Sequence, residues 1–171
     1  MLKKVMVCIM AVLFIVGTSQ AFAEDTDAKV KESMKVLQEK AKKLGEAKVE
    51  GTDTLEGKTF PALFFGTTKM NGNFALVDEV KGAMGGTATI FVKQDKDFVR
   101  ITTNVMKEGK RAVGTTLDPK GKAYAALSTG MPFYGVVDIL GTPYNTGYEP
   151  IKNAKGEVIG IFYVGYPIEK K

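Results

Sequence analysis

The 171-residue chain contains no histidine, one cysteine and only two arginines. The absence of histidine removes most zinc, copper and haem sites, and nearly all acid–base chemistry that pivots near neutral pH. The single cysteine, Cys8, lies in an apolar run at the N-terminus. No intrachain disulfide can form, and without that run there is neither a thiolate catalyst nor an anchor for covalent haem. Serine is also scarce. Beyond residue 23 only Ser33 and Ser128 remain, both in helix-like contexts, so a serine hydrolase has no support. Charge of one sign is nowhere concentrated: 24 basic and 19 acidic residues give a net charge of +5, and the lysines form no polybasic block. Nucleic acid or lipid binding gains little from such a pattern.

What is present begins with a leader. MLKK is a basic n-region, VMVCIMAVLFIVG an apolar h-region, and AFA at 21–23 a small-residue cleavage site. The apolar run is short for a transmembrane span, which leaves an uncleaved anchor as the lesser alternative. The expectation is a signal peptide over 1–23, export to the periplasm, and a single domain over 24–171. Removing Lys3 and Lys4 with the leader leaves 22 basic and 19 acidic residues, a net charge of +3.

Residues 24–50 read as one long helix. Val30, Met34, Leu37, Ala41 and Leu44 recur at spacings of four, three, four and three, a narrow apolar stripe. It either packs on the rest of the domain or forms a homodimer seam. From Phe60 the period becomes strand-like. FPALFFGTTK reads as a strand, MNGN as a turn, and ALVDEVKGAMG as a short helix ended by glycine. TATIFVKQ and DFVRITTNV form a hairpin across Asp95-Lys96, and DPKGKAYAALSTG a brief helix. MPFYGVVDILG, TPYNTGYEPIKN and EVIGIFYVGYPI follow as three strands. The fold class is α+β, with an antiparallel sheet of five or six strands covered by helices.

Within FVRITTN, strict alternation sets Phe98, Arg100 and Thr102 against Val99, Ile101 and Thr103. A guanidinium in mid-strand serves either a surface salt bridge or, as a planar fork, a carboxylate. EGKT at 56–59 is no phosphate loop, because Thr52 stands where that motif needs its first glycine. No acidic pair is set in a frame recognisable for catalysis.

The stretches GGTATIFVKQDKDFVRITTNV, GTTLDPKGKAYAAL and FYGVVDILGTPYNTGYEPIKNAKGEVIGIFYVGYP resemble extracytoplasmic Cache sensor modules. The resemblance is to the single-Cache and Cache 3–Cache 2 fusion types of methyl-accepting chemotaxis proteins and sensor kinases, and runs from about Phe60 to Pro167. It implies a PAS-like sheet over 60–167 with a long helix behind it, and a pocket on the sheet's other face for a small metabolite, often a carboxylate or amino acid. It implies no catalysis and no cofactor. YVGYPIEKK closes the sequence where receptors continue into a membrane helix. The expectation is therefore a free-standing periplasmic protein that reports to a separate membrane receptor or kinase. The alternative is a structural or interaction module that keeps the fold without a ligand.

On this resemblance Arg100 faces the pocket. Asp138, in VVDIL, is either its internal salt-bridge partner or the second charge of an amino-acid site. Tyr134, Tyr144 and Tyr148 offer apolar walls with hydroxyls, or serve as ordinary sheet packing. Thr102 is a further hydroxyl or an inert strand threonine. Arg111, with Lys110, is a pocket-mouth contact or a solvated turn charge.

Overall fold

The computed structural model describes residues 19–168, with side chains from residue 26 onward. The n- and h-regions of the expected leader lie outside the described residues. Helix α1 spans Ser19–Leu44. Val30, Met34, Leu37 and Ala41 are each at most 1 % exposed, packed into the core of their own domain. Burial of each large member contributes about 2 kcal/mol. These four members of the stripe serve the domain's own core, while Leu44, the last, stays exposed.

The helix stops six residues earlier than the sequence reading placed it. Gly45 takes φ 124°, and a Cβ there would stand 2.7 Å from the Cα of Gly66, so the chain turns where only glycines can touch. Ala47–Leu55 then forms strand β1 rather than more helix. It pairs antiparallel with β2 (Lys58–Phe65) across a two-residue turn, Glu56-Gly57, in which both φ angles are positive. Strand β3 (Thr68–Lys69) completes a three-stranded sheet, so FPALFFGTTK is two strands and not one. Helix α2 (Ala75–Met84) ends as expected at Gly85, whose N–H donates to the Lys81 carbonyl.

The remaining elements build the main sheet. They are β4 (Thr87–Gln94), β5 (Asp97–Thr103), the small hairpin β6–β7 (Met106–Lys107 and Lys110–Arg111), α3 (Lys122–Ser128), β8 (Phe133–Ile139), β9 (Thr142–Lys152) and β10 (Val158–Pro167). The strand order is β5-β4-β10-β9-β8, and every neighbouring pair is antiparallel. Gly114–Leu117 runs along the free edge of β5 through backbone bonds between Arg100 and Thr115, Gly114 and Arg100, and Leu117 and Phe98. Five strands and this partial sixth match the expected sheet.

Alternation along the strands sends side chains to two separate cores. Ala88, Ile90, Val92, Phe162 and Val164 face α1, α2 and the small sheet. Phe91, Phe98, Tyr148, Ile161 and Tyr163 face the other way, beneath α3 and the segment between β5 and α3. One irregularity matters for function. Phe91 pairs with Arg100 and Ile90 with Thr102, so Ile101 is an extra residue in β5. The bulge reverses the alternation beyond it. Among the described residues no helix is long and apolar enough to cross a membrane.

Candidate functional site

Arg100 projects from β5 into the second core and is 4 % exposed. Its guanidinium lies 5.0 Å from the centroid of the Phe91 ring on the adjacent strand. Nη1 donates to the Thr115 hydroxyl, which itself donates to the Ala112 carbonyl at 2.8 Å. Nε is buried with no hydrogen-bond partner. Burial lowers the pKa of Arg100, and the phenols of Tyr163 and Tyr148 push it back up. No carboxylate enters this balance. A buried guanidinium with Nε unpartnered and no acid beside it carries an uncompensated charge.

Tyr148 and Tyr163 are direct cross-strand partners on β9 and β10, with ring centroids 4.9 Å apart. Both are fully buried. The Tyr148 hydroxyl has no partner. The Tyr163 hydroxyl meets Thr87 Oγ1 at 3.2 Å, and the single Thr87 proton goes to the Gly165 carbonyl at 2.9 Å. Tyr163 is therefore the donor of that pair, which leaves its oxygen free to accept. Burial, the largest influence on each, raises both phenol pKa values. Phe98, Leu117, Leu127 and Ile161 complete an apolar enclosure.

Of the residues singled out in the sequence, Arg100, Tyr148 and Tyr144 share this face; Tyr144 is half-buried and packs against the same core. The others lie elsewhere. Thr102 lies beyond the bulge and points to the α1 face, where its hydroxyl donates to the Asn73 carbonyl at 2.7 Å. Thr103 takes its place and meets Thr89 at 2.6 Å. Tyr134 also faces α1, since a Cβ on Gly147 would stand 2.6 Å from its ring and 3.0 Å from Val30. It lines a groove of about 170 Å³ with Asp27 and Val30 and donates to Glu149 at 2.5 Å.

Asp138 is not the partner of Arg100. It is exposed beside the turn of the β8–β9 hairpin, where it accepts the Gly141 N–H at 2.7 Å. Alternation from Phe133 puts it with Tyr134, on the wrong face. Arg111 is committed as well. Its fork meets both oxygens of Asp78 at 2.8 Å, Nη1 also donates to the Thr103 carbonyl, and the guanidinium lies 4.3 Å from the Phe74 ring centroid.

Tyr163, Thr87, Phe91 and Thr115 escaped the sequence reading. The one usable signal was Tyr163, a hydroxyl amid the apolar strand IFYV. Among the described residues no group of three or more potential metal-ligating side chains gathers.

The sequence matches the family model of the Cache 3/Cache 2 fusion domain over residues 11–171. The chain belongs to the Cache 3/Cache 2 fusion family. Cache domains are extracytoplasmic sensor domains that bind ligands, and the PAS-like antiparallel sheet with its N-terminal helix is their architecture. No curated protein matches the sequence. Among solved structures, this Cache chain is similar to the ligand-binding domain of the Campylobacter jejuni chemoreceptor Tlp3 in complex with L-valine. The TM-score is 0.43 and the identity 11 %, over 86 % of this chain and 60 % of that one. It thus spans under two thirds of that domain's length. A second similar structure is the A. aeolicus nlh2 GAF domain in an inactive state, with TM-score 0.39 and 12 % identity, over 86 % of this chain and 83 % of that one.

Proposed function

We propose that this Cache domain senses a small metabolite with a carboxylate head, an organic acid or an amino acid, at Arg100 in the second core. It is read as a periplasmic module that passes its ligand state to a membrane receptor or kinase. The observation that carries the reading is the Arg100 guanidinium: 4 % exposed, with Nε unpartnered and no acid among its electrostatic partners. An isolated buried cation is costly, and an incoming carboxylate removes that cost by bonding to the free side of the fork. Tyr148 supplies a second unpartnered group within the same core. Enclosure by α3 and the segment before it strengthens such bonds by excluding water.

A thermal-shift panel of short organic acids and amino acids on the purified protein tests this. Saturable stabilisation is expected, of about 2.7 kcal/mol at a hundredfold excess over Kd. A panel with no saturable response from any carboxylate would leave the fold as a ligand-free interaction module.

A further inference from the structure

Of the two edges of the main sheet, the β5 edge is lined by Gly114–Leu117, whereas β8 ends the strand order. Backbone geometry fixes which groups the β8 edge presents. Leu140 and Gly141, both at positive φ, close the β8–β9 hairpin as a two-residue turn, so Ile139 and Thr142 form a hydrogen-bonded pair. Such pairs alternate along the ladder. Asp138 accordingly stands opposite Pro143, which has no N–H and whose carbonyl accepts from Ile168 on the far side. Tyr134, Val136 and Asp138 therefore turn their N–H and C=O groups away from β9, along the free edge.

Soluble proteins commonly guard an edge with proline, a bulge or lysine. From Phe133 to Ile139 the register is unbroken, no proline interrupts the strand, and its one charged residue is Asp138. On one face it carries Tyr134 and Val136, 38 % and 61 % exposed, and just beyond its ends lie Met131 and Leu140, 60 % and 45 % exposed. Helix α1 packs over β9 and β10, and a groove of about 170 Å³ lies between its Asp27 and Val30 and Tyr134 of β8.

The edge is complementary to a second copy of itself. Laid antiparallel about a two-fold axis at Val136, it sets Val136 against Val136 and Tyr134 against Asp138 of the partner subunit. Every outward N–H and C=O of the three residues then meets its complement. The two Asp138 carboxylates stay apart, and Leu140 falls beside the partner's Met131. Neighbouring registers do worse. An axis at Gly135 sets Asp138 against Pro132, which cannot donate, and an axis at Val137 sets Tyr134 against Leu140, which lies in the turn. We propose that β8 pairs with β8 of a second copy, joining two main sheets into one continuous antiparallel sheet. This pairing is independent of any ligand at Arg100. A seven-residue edge is smaller than a standard interface, so the dimer is weak and depends on concentration.

Analytical ultracentrifugation of the purified protein from about 10 µM to about 1 mM tests this on the parent, Val136→Lys and Val136→Glu. Val136 is exposed, so neither change disturbs the core. The parent should pass from monomer to dimer across the range. Each variant alone sets like charges opposite each other at the axis and should raise Kd by about tenfold or more, while an equimolar mixture of the two should regain the dimer. A parent that stays monomeric throughout would overturn the proposal and leave the edge to a strand of another protein. A dimer indifferent to both substitutions, or a mixture no better than either variant alone, would overturn it by placing self-association on another face.

Discussion

The Arg100 guanidinium lies 5.0 Å from the centroid of the Phe91 ring, and the two residues face each other across β4 and β5. An aromatic face attracts a cation, by about 2 kcal/mol when desolvated, yet it carries no net charge. With Thr115 on Nη1, the ring holds the guanidinium in place without neutralising it. Under the proposed function the fork is oriented before a ligand arrives, which would reduce the ordering cost of binding. That combination of fixed geometry and uncompensated charge separates Arg100 from Arg111, whose fork is filled by Asp78.

Tyr148→Phe should separate ligand binding from stability. The Tyr148 hydroxyl is buried without a partner, so its removal relieves a desolvation cost. Chemical denaturation of the ligand-free variant should show a gain of about 1 kcal/mol. The same variant should bind a carboxylate more weakly, because a donor in the second core is gone. A loss of ligand-free stability would mean that the hydroxyl is satisfied within the protein.

Thr102→Val should behave in the opposite way. Its hydroxyl ties β5 to the Asn73 carbonyl just ahead of α2, on the face away from Arg100. Loss of this bond should lower stability by about 1 kcal/mol and leave carboxylate affinity unchanged. A change in affinity under calorimetry would return Thr102 to the site.

Much of the fold was legible because the central strands of the main sheet are largely buried. TATIFVKQ and EVIGIFYVGYPI are apolar enough to announce themselves, and Gly85 ends α2 as its position suggests. Strand β1 was not legible: AKVEGTDTL has no residue that is fully buried, so it carries no alternation to detect. The candidate site was legible only in part, for a different reason. One extra residue, Ile101, sends Thr102 to the other face, and no composition signal marks a bulge. Asp138 looked enclosed because its neighbours are apolar, but β8 is an edge strand whose alternate side chains, Tyr134, Val136 and Asp138, are exposed.

Alkaline pH should expose the buried phenols. Tyr148 and Tyr163 both have pKa values raised above the ordinary tyrosine range, chiefly by burial. In the unfolded chain they release protons near pH 10, while the folded protein retains them. Their contribution is therefore complete below about pH 10 and is lost as the pH climbs towards the folded values. Denaturation midpoints should fall above about pH 10, and less steeply in Tyr148→Phe. Phenolate absorbance from these two tyrosines should appear together with unfolding; smooth ionisation in the native state would contradict their burial.

The most direct test of the Arg100 account is Arg100→Met, measured for ligand-free stability and for carboxylate affinity on the same preparation. Methionine fills a similar volume without the charge, so the ligand-free domain should be as stable as the parent or more stable by about 1 kcal/mol. Carboxylate affinity should fall by about 1.5–3 kcal/mol, the worth of hydrogen bonds to a charged group. A loss of about 3 kcal/mol or more in ligand-free stability, with affinity intact, would show that Arg100 is a structural cation completed within the protein, and would contradict the account.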